Sequence, residues 1–89
     1  MAELLSVKMW VRIHGIRGHR EGWKIMLLPC VPRIGDAIAC DHDDCGTSIV
    51  SEVILIDGAP IPEAVFQDRA DDPDEAQRWY ENFGYQFEE

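Results

Sequence analysis

The chain has 89 residues, of which 46% are apolar, an ordinary share for a folded domain that argues against global disorder. The length fits one domain over residues 1–89 and excludes a large multi-domain enzyme, and the absence of any run of about 18 apolar residues removes the expectation of a membrane span. Eight Lys and Arg against 17 Asp and Glu give a net charge of −9, so direct nucleic-acid binding is not expected, because phosphates need a basic footprint.

The first predicted element runs from Leu5 to His14. Leu5, Val7, Met9, Val11 and Ile13 alternate with Ser6, Lys8, Trp10, Arg12 and His14, the period of a strand with one face in a core. Val7, Val11 and Ile13 should be inside, Lys8 and Arg12 outside. Gly15, Gly18 and Gly22 then punctuate a polar loop. A second strand is predicted from Trp23 to Leu28. It is apolar on both faces, so it reads as central in the sheet or covered twice. Pro29 and Pro32 end it, since proline has no N–H for the ladder.

Arg33 to Asp36 reads as a turn, Ala37 to Cys40 as a short third strand, and Asp41 to Gly46 as a polar turn. The fourth strand, Thr47 to Ile56, slips its apolar phase near Ser51-Glu52, which predicts a bulge or bend. Asp57-Gly58 suits a type I′ hairpin turn. A short fifth strand is expected around Ala64 to Phe66, at a sheet edge because Pro60 and Pro62 precede it. Gln67 to Asp71 reads as a linker.

A helix should start at Asp72, with Pro73 in the first turn and acids at its positive dipole end. Ala76, Trp79, Tyr80 and Phe83 fall on one face, and Gly84 suits the left-handed residue after it. Tyr85 and Phe87 alternate with polar residues, as in an arm or a last short strand. The fold class is therefore α+β. Five or six short antiparallel strands over residues 1–66 form a strongly bent sheet or a partly open barrel, with a helix over 72–84 and a tail over 85–89. In strand number and length this is similar to SH3-like small barrels.

Charge is unevenly spread. Residues 1–35 hold six basic side chains against two acidic ones, and residues 36–89 hold two against fifteen. The acidic half favours a basic partner, through Asp41, Asp43, Asp44, Asp68, Asp71, Glu75 and Glu81, and through Asp72 and Asp74, which also serve the helix start. Trp10, between Lys8 and Arg12 on the polar face of its strand, is either covered by the helix or Phe87, or an exposed interface aromatic. Three cysteines are an odd number and do not read as a disulfide framework. With an acidic, non-basic start to the chain, a reducing cytoplasm is the expected setting.

Two clusters are candidate sites of another kind. Cys40, His42 and Cys45 sit on one predicted turn with Cys30 upstream, and thiolate and imidazole are zinc ligands. Their spacing lacks the paired Cys-x-x-Cys pattern, so no cofactor and no stoichiometric zinc are expected. Arg17, His19 and Arg20, flanked by glycines, have the composition of an anion-binding loop but not the spacing of a phosphate or dinucleotide loop. No nucleophile–base pair is legible, and the chain is small for a walled pocket, so a non-enzymatic role is expected.

The leading expectation is an acidic protein-interaction domain that docks on a basic protein surface. A sharper form is an inhibitor or nucleic-acid mimic acting on a nucleic-acid-binding protein. In size and charge the chain is similar to short acidic proteins of phages and mobile elements. The alternatives are a metal- or anion-binding domain built on the two clusters, and a structural subunit whose Trp10 face closes a homodimer.

Overall fold

The structure, a computed structural model, describes residues 3–16, 18–39 and 47–87. Its elements in chain order are β1 (Leu5–Gly15), β2 (Gly18–Leu28), β3 (Ala37–Ala39), β4 (Thr47–Ile54), β5 (Glu63–Arg69), α1 (Pro73–Asn82) and β6 (Gln86–Phe87). The strands form one sheet in the order β3-β4-β5-β1-β2-β6. This is a small, mostly β, α+β fold with an open mixed sheet and one C-terminal helix.

β1 dominates the core as its alternation predicts. Val7, Met9, Val11 and Ile13 are fully buried on the face that α1 covers. Each such side chain contributes about 1.5–3 kcal/mol of gross burial energy. Lys8, Trp10 and Arg12 lie on the other face. From the neighbouring strands, Val50, Ala64 and Phe66 join the core, and Tyr80 and Tyr85 close over it.

The pairing departs from the antiparallel expectation. β1 and β5 run parallel, from Lys8 opposite Glu63 to His14 opposite Arg69, while the other pairs are antiparallel. Nor does the sheet close into a barrel: among the described residues, the edges β3 and β6 do not pair. Alternation assigns the faces of a strand but not the direction of its neighbour. Parallel neighbours need a long crossover, and here β2, β3 and β4 all lie within it.

For the same reason β5 is not an edge strand. It sits between β4 and β1. Pro60 and Pro62 fall in the connection before it, so no ladder N–H is lost. The Pro62 carbonyl instead accepts from the Lys8 N–H at 3.0 Å. β5 also extends through Arg69, so residues 67–69 are strand rather than linker.

β2 begins earlier than expected. It forms a tight hairpin with β1, in which Gly15 pairs with Gly18 and Val11 with Gly22. Gly22 is thus a strand glycine. The Phe87 ring lies over it, with atoms 2.5–2.6 Å from where a Cβ would be. The expected slip in β4 is present, as a register shift between Val50 and Glu52. The Asp57-Gly58 turn closes with the Ala59 N–H on the Ile56 carbonyl at 3.0 Å. Only Gly58 has positive φ there, at 81°, which fits a type II turn rather than I′.

The helix follows its signals. The Asp72 side chain caps the N–H groups of Asp74 and Glu75, and Pro73 is in the first turn. At the other end the Gly84 N–H bonds the Glu81 carbonyl, and the Tyr85 N–H bonds the Tyr80 carbonyl. This is a Schellman closure. It turns the chain so that β6 can pair with Gly22 and Trp23.

Gly22→Ala should displace Phe87 and cost about 1–3 kcal/mol, the usual range for overpacking. In a Phe87→Ala background the same change should be nearly neutral. Urea denaturation of the two single variants and the double variant measures that coupling; additive losses would show that the ring does not depend on the missing Cβ.

Candidate functional site

α1 packs on β1, β2 and β6. Its main packing lies there, and a groove remains between the helix and the β4 side of the sheet. Its apolar lining comes from Ile34, Ile49, Val50, Ala76, Trp79 and Tyr80. Asp68, Asp71, Asp72 and Glu75 supply four carboxylates, and among the described residues no Lys, Arg or His lines it. Ile34 is 70% exposed and Trp79 38%, so the lining includes large apolar surface open to water.

Three carboxylates around the helix start are held by the fold. Asp68, opposite Ile13 on β5, accepts a 2.5 Å hydrogen bond from the Tyr80 hydroxyl and a 2.8 Å bond from the Arg69 N–H. Burial, the Asp68 bond and the Asp68 charge together push the Tyr80 hydroxyl far above its ordinary pKa. Asp72 caps α1. Asp74 forms an ion pair with Arg20, which also donates to Gln77 at 2.8 Å. Asp71 and Glu75 have no ion-pair partner among the described residues. They are exposed, and an approaching cation would meet them first.

Of the acids expected to meet a partner, the groove gathers Asp68, Asp71, Asp72 and Glu75. Glu81 is exposed on α1 and does not line it. Asp41, Asp43 and Asp44 lie outside the described residues, as do Arg17, Cys40, His42 and Cys45. His19 and Arg20 belong to a strand rather than a loop, so their side chains point to opposite faces. His19 lies 3.7 Å from Glu21, and Arg20 meets Asp74. These two residues do not converge on one anion. Cys30 is exposed and free. Among the described residues no group of three or more His, Cys, Asp or Glu is arranged to hold a metal.

Sequence reasoning missed Ile34, Ile49 and Trp79 as lining residues. Trp79 was legible only as part of the apolar helix stripe. Nothing local showed that a groove would remain beside β4.

Trp10 occupies the face opposite the helix. Neither α1 nor Phe87 covers it, since Phe87 packs over Gly22 on the helix side. It pairs across the hairpin with Trp23, and the Lys8 ammonium lies 4.7 Å and 4.5 Å from the two ring centroids. The Trp10 indole N–H donates to Glu63 at 2.7 Å. Arg12 sits between Glu21 and Glu52, at 3.3 Å and 3.0 Å. Lys8, Arg12 and their partners thus form a mutually paired polar layer.

Neither the protein-family models, the curated proteins nor the solved structures contain a match to the chain. Among the described residues no helix is long and apolar enough to cross a membrane.

The two core tyrosines make a pH test. Tyr85 is pushed up to about 12 by burial, and Tyr80 is also raised from the ordinary 10.0. Both therefore favour folding in their neutral form, fully so below pH 10. Above that the unfolded chain ionises first, so stability should fall as pH rises towards 12 and beyond. Tyr80→Phe should make the alkaline fall shallower and cost about 1.5 kcal/mol at neutral pH, by removing a hydrogen bond to a carboxylate. Chemical denaturation at stepped pH checks both; an unchanged alkaline slope would remove Tyr80 from the account.

Proposed function

We propose that the protein is a non-enzymatic interaction domain that docks a basic, amphipathic segment of a partner protein in the groove between α1 and β4. One observation carries this reading: an apolar lining with four carboxylates and, among the described residues, no cation. Apolar side chains of the partner would cover Trp79, Ile34 and Ile49, and its Lys or Arg groups would meet Asp71 and Glu75. Burying apolar surface supplies the favourable term. The carboxylates select the sign of the partner and speed encounter.

Neighbouring charges support the direction of this selection. Arg20 is held by Asp74, and Arg12 by Glu21 and Glu52, so neither is a competing internal cation for the rim. Asp68 and Asp72 are tied to Tyr80 and the helix start, and shape the rim rather than move to the ligand. The setting that goes with this reading is a reducing cytoplasm, where an exposed free thiol such as Cys30 persists.

The test uses a synthetic peptide with leucine and lysine at helical spacing. Its addition should shift the NMR amide signals of Ile34, Ile49, Asp71 and Trp79, and binding should weaken as salt rises, since attraction between exposed charges is screened over about 8 Å at physiological ionic strength. Asp71→Lys with Glu75→Lys should weaken it severalfold or more. Ile34→Ser removes apolar contact at an exposed turn and should weaken it with a stability change within about 0.5 kcal/mol. Shifts spread evenly over every acidic residue, or indifference to both changes, would overturn the groove as the docking site.

A further inference from the structure

The outer edge of β2 is only partly covered. β6 pairs with Gly22 and Trp23, and no described strand continues that pairing along Ile25–Leu28. Ile25 is 44% exposed and Leu27 62%, on the same face as Trp23. The other side chains there, Met26 and Leu28, pack against the core. This four-residue edge has none of the usual guards against pairing: no charge, no proline and no bulge in its β1 register. Its composition, apolar on both faces, is that of a strand with neighbours on both sides.

We propose that this edge pairs with the same edge of a second copy, antiparallel across a two-fold axis, and makes β2 an interior strand of a continuous sheet. Charge selects a second copy as the occupant. Two chains of net −9 repel one another over most of their surfaces. Trp23–Leu28, however, carries one cation and no acid. That cation, Lys24, is turned to the helix end, where it donates to the Phe83 carbonyl at 2.8 Å. The edge is therefore a place where two copies can approach without opposing carboxylates. A strand meeting its own copy is self-complementary in backbone donors and acceptors, as a two-fold interface requires. The pairing also sets Ile25 and Leu27 of one copy beside those of the other. Pro29 ends the paired segment, because it offers no N–H. The contact lies across the sheet from the acidic groove, so either site can fail without the other.

Sedimentation equilibrium of the whole chain should give a mass twice that of the monomer, in reversible exchange with it. Amide hydrogen exchange should show protection within Ile25–Leu28 that fades on dilution. Ile25→Lys with Leu27→Lys sets like charges opposite each other across the axis. This variant should sediment as a monomer, with a circular dichroism spectrum close to that of the parent. A parent chain that stays monomeric at high micromolar concentration would overturn the proposal. So would a dimer in which the protected amides lie elsewhere. Should the double variant fail to fold, the dilution-dependent exchange of the parent chain decides the question alone.

Discussion

One ten-residue helix faces a sheet of six strands. A helix of that length spans about 15 Å and is about 10 Å wide with its side chains, whereas six strands at their normal spacing extend across about 24 Å. The mismatch organises the molecule. α1 is placed over β1, β2 and β6, where its Tyr80 and the following Tyr85 roof the four buried residues of β1. Everything beyond that footprint must be covered by side chains, by a partner, or by nothing. The groove beside β4 lies outside that footprint.

The face opposite the helix is handled by side chains alone. Val65 there is 99% buried, with no helix or strand above it among the described residues. The Trp10 and Trp23 rings, the Lys8 stem and the Arg12 guanidinium lie across that face, with Glu21, Glu52 and Glu63 holding their polar ends. The bulge in β4 takes part. His14 donates to Gln67 at 2.5 Å, Gln67 donates to the Ser51 hydroxyl, and that hydroxyl donates to the Val65 carbonyl, the last two at 3.1 Å. A displaced strand residue thus becomes a bridge over the sheet. Over Val65 this side-chain layer is complete, whereas Ile25 and Leu27 at the β2 end of the same face, and Ile34 and Trp79 in the groove, remain open.

Local rules were enough wherever a residue answers to its sequence neighbours. The β1 alternation, the Asp72 cap, the Gly84 turn and the bulge at Ser51 are all such cases. They failed where distant segments decide. Gly22 reads as a loop residue until Phe87, 65 positions later, is laid over it. Pro60 and Pro62 read as edge markers because sequence does not show that β5 will enter beside β1. The candidate site was half legible for the same reason. Asp68 and Asp71 stand out as acids, but their apolar company, Ile34, Ile49 and Trp79, comes from three separate parts of the chain.

The parallel β1–β5 contact also settles how the charge asymmetry is used. It lays a strand from the basic end of the chain against one from the acidic end, and brings α1 over the β1–β2 hairpin. Trp10 then reaches Glu63, Arg12 reaches Glu52 and Arg20 reaches Asp74. The fold thereby uses basic groups of β1 and β2 to hold carboxylates of β4 and α1. The carboxylate excess left over is not spread at random. Between Asp68 and Glu75, Asp68, Asp72 and Asp74 each have a partner or a cap to serve, whereas Asp71 and Glu75 have no ion-pair partner among the described residues. Glu75, in the first turn of α1, favours the helix dipole, but it and Asp71 also repel one another beside exposed tryptophan and isoleucine. On the docking reading proposed above, one basic amphipathic segment would meet both charges and cover the apolar side chains together.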